Sequence, residues 1–169
     1  MKQTRISTLV SNAVATAILA WGLSELLVRL GGQLPVSTTN LLATLPVIAI
    51  VLLILALPIF RYRAAIKDAL GKPADAKQTP IKRVDPFYAL RVALLAKAVS
   101  IAGAVFTGWH AGVLFAVLSA PQVTANGVWR SALGLLASLG MTVCGGIVER
   151  ACKVPPDAST GSGSDASPA

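Results

Sequence analysis

A short stretch of dense positive charge lies between two long, mainly apolar segments near the middle of this chain. Seven of its fifteen Lys and Arg residues fall between Arg61 and Arg83. A loop this basic resists transfer across a lipid bilayer and is retained on the cytoplasmic side. The feature therefore predicts a membrane protein, and it fixes the orientation of the segments on either side of the loop.

The overall composition agrees with a membrane protein. Only 13% of the residues are charged, about half of what soluble domains carry. The net charge of +8 would suit nucleic acid, but the basic loop has no interleaved aromatic residues on which bases could stack. We therefore expect no nucleic acid partner. The expected partners are the lipid bilayer and, at the basic loop, its anionic headgroups.

The apolar runs predict an all-α fold, an integral membrane four-helix bundle. A bilayer crossing needs about 20 apolar residues, and we place the spans at about 6–30, 41–60, 89–118 and 131–148. The first span continues well past a signal-peptide-like Ala15-x-Ala17, so we expect it to be uncleaved. The spans form one membrane domain, 1–153, with a loop at 61–88 and a disordered polar tail at 154–169.

The charges give the orientation of the bundle. Thirteen of the fifteen Lys and Arg residues fall on one side of the alternating spans, and only Arg29 and Arg130 fall on the other. This bias predicts a multi-pass protein of the cytoplasmic (inner) membrane, with the N-terminus, the C-terminus and the basic loop all in the cytoplasm.

Several local signals refine the helix ends. Asp85 suits the N-cap of the third helix, with Pro86 at its first position. Thr39 or Asn40 could cap the second helix, with Pro46 near its first turn. Pro58 predicts a bend near the end of the second helix, and Asn126-Gly127 predicts a strong turn before the fourth. Segment 61–71 is either a short amphipathic helix on the headgroups or a solvated extension of the second span.

Small residues on the third and fourth helices predict close packing between these two helices. Small residues let helix backbones approach closely in lipid. On the third helix they recur at every fourth position: Ser100, Ala104, Gly108 and Gly112. The fourth helix repeats the pattern at Ser138, Thr142 and Gly146.

If these two faces pack together, Lys97 and Glu149 meet at the cytoplasmic end of the interface. We therefore predict an ion pair between them, because a charge inside the bilayer costs about 2.5–3.5 kcal/mol. The alternative is that Lys97 extends to the headgroups and Glu149 caps its helix in water.

Three further polar residues lie toward the opposite face of the membrane. Glu25 and Arg29 are four positions apart, in the order that favours an ion pair on one helix. A sharper hypothesis places Glu25 in a cavity with His110 as a proton-coupled pair. A lone histidine is more often simply hydrogen-bonded, and we favour the local Glu25–Arg29 pair.

The sequence contains no recognisable motif for catalysis or for binding a cofactor or metal. It lacks a nucleophile elbow, an HExxH pair and a phosphate-binding loop. One histidine and two cysteines cannot build a structural zinc site. Cys144 and Cys152 are about 12 Å apart along a helix, too far for a disulfide. We expect a protein that is not an enzyme.

A set of short motifs resembles one actinobacterial membrane family, a domain of unknown function numbered 3180. The motifs are Arg83-Val84-Asp85-Pro86, Leu95-Ala96-Lys97-Ala98, Gly103-Ala104, Gly108-Trp109 with Gly112, and Glu149-Arg150 with Pro155-Pro156. The resemblance implies a small four-pass inner-membrane protein, often encoded beside folate-biosynthesis enzymes. It carries no catalytic residue onto this sequence.

Two functions fit these expectations. The first is a non-enzymatic accessory protein that assembles with itself or with a partner through helix packing. The second is a subunit of a small oligomeric transporter or channel that uses Lys97 and Glu149. Transporters usually place polar groups or broken helices at the bilayer midplane, whereas segment 47–57 is almost purely aliphatic. The sequence therefore favours assembly.

Overall fold

The computed structural model describes residues 4–70, 85–120 and 123–152, and within these ranges it contains helices and no strands. The four helices are α1 (Ile6–Arg29), α2 (Thr39–Leu70), α3 (Pro86–Ser119) and α4 (Ala125–Ala151). Each is long and apolar enough to cross a membrane. The all-α, four-helix prediction is confirmed. Residues 71–84 of the basic loop and the tail predicted at 154–169 lie outside the described residues.

Two helix ends follow directly from local chemistry. The Asp85 carboxylate accepts a hydrogen bond of 2.9 Å from the Phe87 N–H, and Pro86 occupies the first position of α3, as predicted. At the end of α1, Gly31 has a φ of 78°. The Gly31 N–H donates to the carbonyl of Val28, and the next N–H donates to that of Leu27. This pair of bonds is the Schellman motif, which ends α1 cleanly.

Helix α2 is longer than predicted at both ends. It begins at Thr39, so Thr39 and Asn40 lie inside the helix, and Pro46 is two turns in rather than in the first turn. It continues through Pro58 and Arg61 to Leu70 without a break. The structure therefore supports the second of the two hypotheses for segment 61–71, an extension of the second span.

Helix α4 also begins earlier than predicted. Asn126 and Gly127 lie in its first turn, so the predicted turn at these residues is wrong. Gly127 is buried, and a Cβ placed on it would lie 2.8 Å from Thr124 Oγ1 and 3.4 Å from Val117 Cγ1. The glycine permits a helix to start close against α3, and packing overrides its preference for a turn.

Helix α3 is central to the packing. In the described part of the chain, α1 packs on α3 alone, while α2 packs mainly on α4 and slightly on α3. The main apolar core lies between α2, α3 and α4 and includes Leu52, Val99 and Met141. A second cluster of Ala20, Val113 and Val117 joins α1 to α3.

The small residues of α3 serve two interfaces rather than one. Gly103 lies against Thr142, and Ser100 lies against Gly145. Gly108 and Gly112, in contrast, pack against α1. The α4 side differs as well, because a Cβ on Gly146 would meet no atom within 4 Å. The predicted close packing of α3 on α4 is present, but Gly108 and Gly112 of the α3 stripe face α1 instead of α4.

The physical reason is the pitch of the α-helix. Each step of four residues advances about 400° around the axis, so a stripe at that spacing drifts by about 40° per step. From Ser100 to Gly112 the drift is about 120°, which carries the stripe from the α4 side of α3 onto the α1 side. There, Gly108 contacts Ala13 and Thr16, and Gly112 contacts Ala17 and Ala20.

This geometry predicts opposite effects for two glycine substitutions. Gly108→Ala would place a Cβ against the Ala13 carbonyl, and we expect it to lower the free energy of unfolding by about 1–3 kcal/mol. Gly22→Ala, on the open face of α1, should instead raise it by about 0.5–1 kcal/mol, because alanine is the better helix former. Unfolding by SDS in mixed micelles measures both. Equal effects of the two variants would contradict the α1–α3 contact.

Candidate functional site

Two groups of contacts, one toward each end of the bundle, join separate elements of the described chain. At one end, a group that we call the His110 cluster consists of His110, Phe106, Ser37 and Gly134. At the other, a group that we call the α4 junction consists of Thr4, Glu149, Arg63, Arg150 and Cys152.

The His110 ring is fully buried and hydrogen-bonded at both nitrogens. Nδ1 lies 2.8 Å from the Phe106 carbonyl, and Nε2 lies 3.0 Å from Ser37 Oγ. A carbonyl only accepts, so Nδ1 carries the hydrogen, and in the neutral ring Nε2 accepts from the Ser37 hydroxyl. The ring lies directly on Gly134, where any Cβ would collide with it. The cluster thus ties the α1–α2 loop to α3 and α4.

Glu25 takes no part in this cluster. Its Oε1 is 3.3 Å from Arg29 Nε, in an exposed pair along α1. The local-pair interpretation therefore holds, and the proton-coupled Glu25–His110 hypothesis is wrong. Exposed pairs of this kind contribute about 0–1 kcal/mol.

Ser37 and Ser131 were both missed by the sequence analysis. Ser37 is only 8% exposed, and nothing in the sequence of its uncharged loop distinguishes it from its neighbours. Ser131, one turn before Gly134 on α4, is buried, and its hydroxyl has no hydrogen-bond partner among the described residues. It differs in this respect from Ser138, whose hydroxyl donates to the Gly134 carbonyl at 2.8 Å.

At the α4 junction, the Glu149 carboxylate is held by the segment that precedes α1. Oε1 accepts a bond of 2.8 Å from the Thr4 N–H and one of 3.2 Å from the Thr4 hydroxyl. The predicted Lys97–Glu149 ion pair stays a prediction, and the contacts described for the Glu149 carboxylate are those with Thr4. The contact of Gly145 with Ser100 does place Lys97 and Glu149 near the same end of α3 and α4.

Helix α2 contributes to the same junction. Arg63 Nη1 donates to the Arg150 carbonyl at 3.1 Å, so a cation caps the C-terminal end of α4. Burial raises the pKa of the Cys152 thiol, and the positive charge of Arg63 opposes that rise. Cys152 and Cys144 are both free thiols. The segment before α1 and helix α2 therefore both contact the end of α4.

Four apolar helices, with polar contacts near their ends, define a small multi-pass membrane protein. The chain belongs to the family described as a protein of unknown function (DUF3180), whose model matches residues 9–156. The resemblance noted in the sequence is thus confirmed for the family. No curated protein and no solved structure matches the chain.

Alanine substitutions of Ser37 and Ser131 should have different effects on the stability of the protein. Ser37→Ala would leave Nε2 of His110 buried without a donor, and we expect it to lower the free energy of unfolding by about 1–3 kcal/mol. Ser131→Ala removes a buried hydroxyl without a described hydrogen-bond partner, so it should be neutral or stabilising. SDS titration in micelles measures both. A loss with Ser131→Ala as large as with Ser37→Ala would contradict the assignment.

Proposed function

We propose that this chain acts by assembling with another transmembrane helix and is not an enzyme. The observation that carries the proposal is a glycine at mid-span on the outward face of α4. Gly140 is exposed, and a Cβ placed on it would meet no atom within 4 Å. No contact with the described residues of the protomer therefore requires the glycine.

The residues around Gly140 form one continuous apolar face. At about 100° per residue, five exposed residues fall within about 80° of each other around the α4 axis. They are Leu133, Leu136, Gly140, Val143 and Ile147. The buried residues Ser138 and Gly145 lie on the opposite side. A glycine notch between large apolar residues suits close approach of a second helix in lipid, where packing drives association.

The transporter alternative has less support. A path through the protomer would have to connect the His110 cluster with Lys97 and Glu149 along α3 and α4. Between these ends, Gly103 lies against Thr142 and Gly145 lies against Ser100, with no room for a Cβ in either contact. Such close packing leaves no space for water between the two helices.

The assembly proposal predicts that Gly140→Leu disrupts a complex without unfolding the protomer. The leucine would enter open space, so the thermal stability of the isolated chain should be unchanged or higher. In native membranes, we expect the crosslinked or co-purified complex to fall at least about tenfold, which corresponds to about 1.4 kcal/mol.

Gly22→Leu on α1 is the matched control, since it also enters open space but lies on another helix. The composition of the complex shows whether the partner is a second copy or another protein. A chain that migrates as a monomer in membrane extracts, or a complex that tolerates Gly140→Leu, would rule the proposal out.

The charge bias supports an orientation in the cytoplasmic membrane with both termini inside. Arg61, Arg63 and Lys67 extend beyond the apolar part of α2 on the exposed surface of the helix. In the proposed orientation they lie at the level of the cytoplasmic headgroups, where anionic lipids attract positive charge.

Cysteine labelling tests this orientation. In a chain with Cys144 and Cys152 changed to serine, we expect Ser119→Cys to react with a membrane-impermeant maleimide in intact cells. Lys67→Cys should react only after the membrane is permeabilised, because the α2 extension is inside. Both positions are exposed on the protein. The reverse pattern would invert the topology.

A further inference from the structure

We propose that the α2 extension and the end of α4 form a binding site for the headgroup of an anionic phospholipid. The site consists of Arg63 and Lys67 on α2 and Arg150 on α4, all of them exposed. It rests on the proposed placement of this end of the bundle at the membrane surface, and it is independent of helix assembly.

The inward face of α2 changes from apolar to cationic as the helix passes the end of α4. Leu52, Ala56 and Ile59 are buried against the bundle. At about 100° per residue, Arg63 and Lys67 lie about 20° and 60° from Leu52 around the α2 axis. They therefore continue the face that packs on the bundle, one and two turns beyond Ile59.

The negative charge of the extension lies on the other side of the helix. Arg61 and Asp68 lie about 180° and 160° from Leu52, so they are neighbours on the outer face. Asp68 can offset Arg61 there, but it points away from Arg63 and Lys67. The inward face therefore keeps its positive charge.

Arg63 is held in position by the fold. Its Nη1 donates to the Arg150 carbonyl at 3.1 Å. A guanidinium has five N–H donors, so this bond leaves others for a phosphate. The carbonyl end of a helix repels anions. Because Arg63 caps the end of α4 and Arg150 adds a second positive charge, this end of the helix becomes favourable for an anion.

The location selects a lipid over a soluble anion. Arg61 and Arg63 follow Phe60 and the long apolar run of α2 without a break in the helix. Basic sites between transmembrane helices at the membrane surface are typical binding sites for acidic phospholipid headgroups.

The test uses the full chain in nanodiscs of equimolar phosphatidylglycerol and phosphatidylcholine, with native mass spectrometry of the retained lipids. In Lys67→Gln/Arg150→Gln, we expect retained phosphatidylglycerol to fall on the order of 20-fold, at about fivefold for each charge removed. Arg61→Gln, on the outer face of α2, is the matched control and should change retention less than about twofold. Neither substituted side chain of the double variant makes a described hydrogen bond within the protomer, since the bond from Arg63 goes to the backbone of Arg150.

Three results would overturn the site. Equal losses in Arg61→Gln and in the double variant would mean that the lipid responds to diffuse charge. Unchanged retention in the double variant would mean that these residues do not bind lipid. Displacement of phosphatidylglycerol by millimolar inorganic phosphate would mean a soluble-anion site. If the double variant unfolds, the two single variants decide, and we expect each to lower the retained phosphatidylglycerol about fivefold. Nanodiscs expose lipid on both faces, so lipid binding is measured whatever the orientation of the chain in cells.

Discussion

Close contact between α3 and its neighbours is the constraint on which the rest of the structure depends. In lipid, large apolar side chains gain little by leaving the acyl chains, so helices associate through close packing of small residues. Helix α3 supplies these residues on two sides, with Gly103 toward α4 and Gly108 and Gly112 toward α1. The arrangement makes α3 the axis of the bundle. It also explains why α1 can be mostly exposed and still have a defined position.

The sequence predicted the parts of the fold that depend on local chemistry. Long apolar runs predicted four helices, Asp85-Pro86 predicted the start of α3, and the spacing of Glu25 and Arg29 predicted their ion pair. Each of these depends on residues within one or two turns of each other. Helix ends were less predictable where packing decides, as at Gly127, because a turn-forming residue can also be the small residue that a helix contact needs.

Contacts between distant parts of the chain could not be predicted in the same way. The predicted Lys97–Glu149 pair follows from the small faces of α3 and α4 and from the depth of the two residues. A side-chain pair also requires the right rotation of both helices and the absence of a competing donor. Thr4 is such a donor, and nothing in its sequence context indicates that it reaches α4. Ser37 is a similar case, since one serine in a polar loop looks like any other until the loop is folded over His110.

These two unexpected contacts have a common consequence for α1. Thr4 precedes the helix and binds α4, whereas Ser37 follows it and binds α3. In the described residues α1 packs on α3 alone, so a single line of small-residue contacts would leave it free to rotate or slide along α3. The polar contacts outside each end of α1 remove that freedom. Hydrogen bonds fix direction and register in a way that apolar contacts do not, since apolar attraction has no preferred direction. The position of α1 is therefore set by the glycines of α3 at the middle of the helix and by polar contacts beyond its two ends.

The outward face of α4, with Gly140 at its centre, needs no such anchors because α4 is already packed against both α2 and α3. The assembly that we propose on that face would therefore require no change in the protomer.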